Sequence, residues 1–66
     1  MTNNLRVLRA IKNISQEELA KQIQVSRQTI NAIEKGKYVP STVLALKLAR
    51  FFEKPVEEIF ALEKED

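Results

Sequence analysis

Apolar residues recur at spacings of three and four along most of this chain, and turn-forming residues interrupt the pattern at intervals. This period matches an α-helix with one buried face. It predicts helices over residues 4–12, 15–23, 26–35 and 42–52, and a short fifth helix opening at Lys54-Pro55. No stretch shows the alternation of a strand, so the predicted fold class is all-α, a compact five-helix domain.

Serine residues mark the start of three of these helices. Ser15 with Glu18 is the pattern of a capping box, in which each side chain satisfies a backbone N–H of the other residue. Ser26 and Ser41 are predicted to be N-caps of the third and fourth helices. Gly36 is expected to stop the third helix, because glycine readily takes the left-handed conformation that ends helices.

The apolar stripes define a predicted core. Its members are Leu5, Leu8, Ile11, Leu19, Ala20, Ile23, Ile30, Ile33, Leu44, Ala45, Leu48, Ala49, Phe52, Val56, Ile59 and Phe60. The second and third helices are short and are joined by the brief corner Gln24-Val25. Helices joined in this way cross steeply, so residues 15–35 are predicted to form a helix-turn-helix.

The polar face of the third helix carries the chemistry. Its first turns hold Ser26, Arg27, Gln28, Thr29 and Asn31. Arginine, glutamine and asparagine make paired hydrogen bonds to guanine and adenine edges in the major groove, and recognition helices use their N-terminal residues for this. Any one of these residues alone would be read as a solvated face. Together they predict sequence-specific DNA binding.

Charge is divided unevenly along the chain. Residues 1–52 carry nine basic and three acidic side chains, a balance of +6, whereas residues 53–66 carry two basic and six acidic ones, a balance of −4. A basic body suits a nucleic-acid partner, and the acidic tail 61–66 is expected to point away from it. Solvation alone would also explain such a tail.

Composition excludes several other classes of function. The 66 residues make one domain and include no cysteine and no histidine, so we expect no disulfide, metal site or cofactor. The adjacent acidic pairs at 17–18 and 57–58 diverge around their helices, and no enzyme activity is expected. No apolar run approaches the ~20 residues that span a bilayer, and the first residues lack a signal peptide, so a cytoplasmic location without membrane contact is expected.

The motifs ISQEELA (14–20), VSRQTI (25–30), IEKGKYVPS (33–41), LALKLA (44–49) and PVEEIF (55–60) together resemble the Cro/C1-repressor type of helix-turn-helix proteins. The resemblance covers nearly the whole chain and extends to the short stand-alone bacterial repressors of this size. It implies a lambda-repressor-like domain over residues 1–66 that binds a double-stranded DNA operator as a homodimer, usually to repress transcription. No small-molecule ligand is evident.

The resemblance also assigns roles to individual residues. Those implied to face base edges are Arg27, Gln28 and Asn31, with Thr29 reaching a phosphate or a thymine methyl. Those implied to contact the DNA backbone are Gln16, Ser26, Lys35, Lys37, Tyr38 and Ser41. Arg9 and Glu34 match a structural ion pair between the first helix and the end of the third.

Two positions depart from the family pattern. Gln24 stands at the corner where the family usually has a left-handed glycine, and Glu53-Lys54 replaces the glycine common after the fourth helix. A non-glycine residue in the left-handed conformation costs roughly 1–2 kcal/mol. We therefore expect a strained corner at Gln24 and an altered entry to the fifth helix.

The dimer surface is expected near the fourth and fifth helices. An exposed apolar patch there would consist of Phe51, Pro55, Val56, Phe60 and Leu62. The alternative is that Phe51 and Phe60 close a small core.

The related small repressors further suggest that residues 1–3 pair with residues 61–63 as a short terminal β-ribbon. A different class of function also stays open. The domain could be an antitoxin-like or protein-interaction module that uses the surface of the fourth and fifth helices.

Overall fold

Five helices and one two-stranded ribbon make up the fold, and the computed structural model describes all of residues 1–66. In chain order the elements are β1 Thr2–Asn3, α1 Leu5–Lys12, α2 Gln16–Ile23, α3 Arg27–Glu34, α4 Thr42–Phe52, α5 Val56–Ile59 and β2 Phe60–Ala61. The predicted five-helix domain is confirmed, and each predicted helix lies within a few residues of its expected position.

Serine caps begin α2, α3 and α4 as predicted. The hydroxyl oxygens of Ser15, Ser26 and Ser41 each accept a bond from the backbone N–H three residues later, at 3.0, 3.1 and 3.2 Å. The reciprocal half of the capping box is not formed. The Glu18 carboxylate accepts a bond from Gln22 Nε2 at 2.8 Å instead, so that glutamate stabilises the exposed face of α2.

The helices end by one repeated device. A left-handed residue follows α1, α2 and α4, namely Asn13, Gln24 and Glu53, with φ of 57°, 61° and 55°. Gly36, at φ 75°, does the same after α3. In each case the next residue's N–H bonds back five positions, as in Val25 N–H to the Ala20 carbonyl at 3.0 Å. The expected left-handed corner at Gln24 is therefore present.

The core joins all five helices. It consists of Leu5, Leu8, Leu19, Ala20, Ile23, Ile30, Ile33, Leu44, Leu48, Phe52, Ile59 and Phe60. Ala45, Ala49 and Val56 pack at its edge. The prediction for Ile11 was wrong, since this side chain is 74% exposed. At about 100° per residue, Ile11 lies about 120° from Leu5 around the axis and leaves the arc that faces the core.

The terminal ribbon closes the domain. Thr2 pairs with Ala61 and Asn3 with Phe60, antiparallel. The ribbon that the family resemblance suggested is confirmed, but it is shorter and begins at Phe60. The Asn3 side chain also donates to the Ile33 carbonyl at 2.8 Å. The ribbon is thereby tied to the last turn of α3.

Candidate nucleic-acid interface

Helix α3 is held by its apolar face and presents its polar face outward. Ile30 and Ile33 are 0% and 1% exposed, and Leu19 and Ile23 of α2 belong to the same core. Buried residues of α2 and α4 complete the core that holds α3. Because the apolar positions fix the rotation of the helix, Arg27 and Gln28 are left exposed and Asn31 half-buried on the opposite side.

Three side chains at the start and middle of α3 share one shallow polar recess. Arg27 and Gln28 are exposed and Asn31 is half-buried, and together with Gln16 of α2 they line this recess. The Arg27 guanidinium takes no part in the ion pairs of the domain. Its five donors therefore stay available to an external acceptor.

The N-terminus of α3 has a partly used pair of hydroxyl groups. Ser26 Oγ accepts the Thr29 N–H, and it lies 2.9 Å from Thr29 Oγ1. One of the two hydroxyl protons makes this mutual bond, so the other remains free to donate. The end of a helix dipole with free N–H groups also favours a phosphate at this position.

The ion pair implied between α1 and α3 is present. Arg9 donates from Nε to Glu34 Oε2 at 2.7 Å and from Nη2 to Oε1 at 3.1 Å. A third donor, Nη1, bonds the Ile14 carbonyl at 2.9 Å. The Glu34 side chain is 0% exposed and that of Arg9 is 18% exposed. The pair is bidentate and largely desolvated. Removal of either charge would therefore leave the other one buried without a partner.

The surroundings of Glu34 act on its pKa in opposite directions. Burial of the carboxyl raises the pKa, whereas the hydrogen bonds from Arg9 and Gln16 lower it, and the net result is a pKa below the usual value. The Arg9 pKa is raised, chiefly by its hydrogen bond to Glu34. The pair is therefore ionised across the neutral range, and it fixes α1 against the end of α3.

The segment after α3 carries the remaining implied DNA contacts. Lys35, Lys37 and Tyr38 are exposed, with Tyr38 at 46%. Gly36 turns the chain here, and a Cβ at this position would meet nothing within 4 Å, so its role is conformational. Ser41 is exposed at the start of α4 while its oxygen caps that helix. Two exposed cations and two hydroxyls thus follow α3.

Residues 5–59 match the model of the helix-turn-helix family. The chain belongs to the Cro/C1-type helix-turn-helix family. Its members are DNA-binding transcriptional regulators without enzyme activity, which confirms two predictions made from the sequence. None of the helices of this regulator has the length and apolar character needed to span a bilayer.

Relatives of this helix-turn-helix regulator span archaea and bacteria. An uncharacterized HTH-type transcriptional regulator of Methanocaldococcus jannaschii is 54% identical over 66 residues, the whole of both chains. The transcriptional repressor RstR of the cryptic phage CTXphi, from Vibrio cholerae, is 36% identical over 88% of this chain and 52% of its own length. The transcriptional activator BcrR of Enterococcus faecalis is 37% identical over 91% of this chain and 29% of its own.

A solved structure shares the fold. The crystal structure of the restriction-modification controller protein C.AhdI from Aeromonas hydrophila superposes with a TM-score of 0.77 at 38% identity, covering 85% of each chain. The likeness extends over most of the helical domain. The regulator therefore shares its architecture with this controller protein.

The expected apolar patch of the regulator is not one surface. Phe60 is 7% exposed and belongs to the core, as the alternative interpretation held. Phe51 packs edge-on against Phe52, with ring centroids 5.0 Å apart, and lies under the Lys12 ammonium group at 5.4 Å. Pro55 and Leu62 are exposed, Leu62 at 80%, and Val56 is half-buried. Because Phe60 is buried and Phe51 is partly covered by Phe52 and Lys12, the five residues do not form a single exposed patch.

A different apolar groove lies between α4 and the terminal ribbon of the regulator. Its volume is about 240 Å³, and it is lined by Met1, Val39, Pro40, Thr42, Ala45, Leu46, Val56 and Phe60. Val39 and Leu46 remain 64% and 58% exposed at its rim. Sequence reasoning identified Val56 and Phe60 but missed Met1, Val39 and Leu46. The available signal was that Leu46 is an apolar residue of α4 that lies outside the core stripe of Leu44, Leu48 and Phe52.

Sequence reasoning also missed the partners of Gln16. Its Nε2 donates to Glu34 Oε1 at 3.0 Å and to Asn31 Oδ1 at 3.4 Å. The side chain expected at the DNA backbone is therefore bonded inside the protein. No spacing rule gives this, because the bonds join α2 to the last half of α3 across the helix-turn-helix.

Proposed function

We propose that this protein is a sequence-specific transcriptional repressor of the cytoplasm that binds an inverted-repeat operator as a homodimer. The observation that carries the proposal is the division of α3 into a buried apolar face and an exposed polar face. Ile30 and Ile33 are enclosed, while Arg27 and Gln28 are exposed with unused donors. A helix held in this way supports insertion into the major groove with its polar face toward the bases.

The side chains of α3 suggest what is read. Arg27 reads guanine, since its guanidinium matches the O6 and N7 acceptors, and Gln28 or Asn31 reads adenine. Each good bidentate contact is worth ~1–3 kcal/mol of discrimination. Thr29 approaches a phosphate or a thymine methyl. Contacts to the DNA backbone set the register, and we assign these to Ser26, Lys35, Lys37, Tyr38 and Ser41.

A second copy of the chain is the proposed occupant of the apolar groove beside α4. The groove begins immediately after the segment 35–38, so a partner seated there lies next to the DNA-facing side of each copy. A two-fold axis through it relates two α3 helices, and the operator then has the same symmetry. Val56, Phe60 and Leu62 remain in this proposed interface, with Leu46 and Val39. Phe51 lies outside it.

Repression follows from occupancy of the operator. A dimer bound over a promoter excludes RNA polymerase without needing a further activity. The similarity to RstR, which is named as a repressor, supports this direction of control.

The test of the proposal is selection of bound sequences from random DNA by the purified protein. We expect an enriched inverted repeat with half-site centres ~34 Å apart. Affinity for it should fall ~10³–10⁵-fold between 50 and 200 mM salt if ~6–10 phosphates are neutralised. Failure to enrich any sequence would favour the protein-interaction alternative, and enrichment of an unpaired half-site would contradict the homodimer.

The dimer surface is tested by a matched pair of variants. Leu46 and Val7 are both 58% exposed, but Val7 lies on α1, outside the groove. Leu46→Glu should produce a monomer in sedimentation analysis and weaken operator binding, because a buried unpaired carboxylate opposes association. Val7→Glu should leave the oligomeric state unchanged. Equal behaviour of the two variants would exclude the groove as the interface.

A further inference from the structure

We propose that Gln16 is a positioning residue that fixes the amide of Asn31, with its Nδ2 directed outward to the DNA, and is not a phosphate ligand. The inference rests on the proposed function for its DNA-binding readout. It differs from the role that the family resemblance implied for Gln16. It is carried by a chain of hydrogen bonds that runs from a buried ion pair to the surface of α3.

This series of hydrogen bonds begins at the Glu34 carboxylate. Its side chain has no exposed surface, and its two oxygens are held by Arg9 at 2.7 and 3.1 Å. Arg9 is itself oriented by the Ile14 carbonyl at 2.9 Å. The carboxylate therefore has one orientation. Because it is ionised, it can accept hydrogen bonds and cannot donate them.

The next link is the Gln16 amide. Gln16 Nε2 lies 3.0 Å from Glu34 Oε1. The oxygen of the amide could not take this place, since two acceptors would face each other inside the domain. The orientation of the Gln16 amide is thus determined by the charge of Glu34, and its nitrogen faces inward.

The second N–H of Gln16 reaches Asn31. Nε2 lies 3.4 Å from Asn31 Oδ1, so both of its protons have partners within the protein. The atom left over is Gln16 Oε1, which is an acceptor and has no attraction for a phosphate oxygen. In this arrangement Gln16 has no donor to offer to the DNA backbone.

The last link sets what Asn31 presents. Since its Oδ1 faces Gln16, its Nδ2 faces the recess shared with Arg27 and Gln28. Two N–H donors then meet the groove. Such a group donates to purine N7, guanine O6 or thymine O4 and opposes the cytosine amino group, so of the two candidates for a bidentate adenine contact Gln28 is the one that remains. Asn31 without this bond could turn its oxygen outward and tolerate cytosine.

The test compares wild type, Gln16→Met, Asn31→Ala and the double variant on DNA with all four bases at each position of the half-site. Methionine keeps the length of the side chain and removes both donors. Asn31→Ala identifies the position that Asn31 reads. We expect Gln16→Met to reduce discrimination against cytosine at that position by about fivefold or more, to leave other positions unchanged, and to have no further effect in the Asn31→Ala background.

Two results would overturn the assignment. A phosphate ligand would make Gln16→Met weaken binding uniformly for every base, with the same loss in the Asn31→Ala background. A Gln16→Met protein with unchanged discrimination at every position would show that the bond positions nothing.

A second measurement uses the wild-type protein without DNA. In nitrogen-resolved NMR spectra, the side-chain NH₂ of Gln16 should exchange slowly with water and that of Asn31 quickly. The reverse order would overturn the proposal. This readout does not depend on a variant that folds. It also stands if the wild-type protein selects no sequence, in which case the proposed function fails separately.

Discussion

Helices α1 and α3 are both eight residues long, and each buries two apolar side chains, yet their exposed faces differ. On α1 the outward positions include Val7 and Ile11, which are 58% and 74% exposed. On α3 they are Arg27, Gln28 and Asn31. The buried faces alone would give both helices the same structural role. Since α1 also exposes Arg6 and Lys12, the amide side chains beside Arg27 are what set α3 apart as the proposed recognition helix.

The two helices also use their polar groups differently. Arg9 of α1 donates three hydrogen bonds inside the protein, to Glu34 and to the Ile14 carbonyl. Arg27 of α3 forms no ion pair. Arg9 therefore helps to fix the position of α3, while Arg27 remains available to a ligand. Variants of these residues test this division of roles.

Replacement of Arg9 should have the largest effect. Arg9→Ala strands the Glu34 carboxylate, and loss of one partner of a buried pair costs ~3–5 kcal/mol of unfolding free energy. For a domain of this size that is much of the total stability. Thermal and denaturant unfolding would measure it.

Arg6 provides the control for that measurement. It lies on the same helix with its Nε 3.9 Å from Glu34 Oε1, but its side chain is 74% exposed. Arg6→Ala should cost less than ~1 kcal/mol. Equal stability of the Arg9 and Arg6 variants would show that the ion pair of Arg9 does not hold α1 against the end of α3.

Acid should weaken the same connection. The pKa of Glu34 in the folded protein lies below its usual value near 4.5, so its contribution is complete above that value and is lost as the pH falls through the folded pKa. The melting temperature of wild type should therefore decline below about pH 4.5.

Glu34→Gln isolates this effect because it retains Asp66, whose pKa is also lowered, chiefly by the Glu63 backbone N–H. The variant is expected to start from a lower melting temperature and to decline less steeply in acid. A parallel decline in the two proteins would assign the pH dependence to other carboxylates.

A smaller gain is expected at the corner between α2 and α3. Gln24 has φ 61°, which costs a non-glycine residue roughly 1–2 kcal/mol. Gln24→Gly should raise the melting temperature, offset in part by the greater chain entropy of glycine when unfolded. Gln24→Ala, which keeps a Cβ, should not. A fall with glycine would mean that the left-handed conformation at Gln24 carries little strain.

Periodicity and caps were enough to predict the helices and most of the core. Serine caps act locally, within three residues, so their signal is complete in the sequence. The left-handed helix ends at Gln24 and Glu53 were less visible, because neither glutamine nor glutamate favours this conformation. Ile11 was misplaced because residues spaced by three drift around the helix, so Leu5, Leu8 and Ile11 do not all share one face. Only tertiary contacts decide which of them are buried.

The sequence predicted which polar side chains α3 exposes, but not the hydrogen bonds that surround them. The exposed donors of α3 follow from helix geometry once Ile30 and Ile33 are placed inside. The inward orientation of the Gln16 side chain does not follow from helix geometry. It depends on which acceptor of α3 lies opposite the start of α2. The pairing of Arg9 with Glu34 came from family resemblance, and the structure explains it by the closeness of α1 to the end of α3.

The central claim is that the exposed polar face of α3 selects the DNA sequence. The direct measurement is the affinity of the combined variant Arg27→Ala, Gln28→Ala and Asn31→Ala for the selected operator and for unrelated DNA. A variant with Gln22→Ala and Arg50→Ala removes the same net charge from a different recess and serves as control. We predict that the first variant stays folded and binds both DNAs with a Kd of ~10⁻⁴–10⁻⁶ M, while the control retains its preference. A folded first variant that still prefers the operator as strongly as wild type would contradict the account.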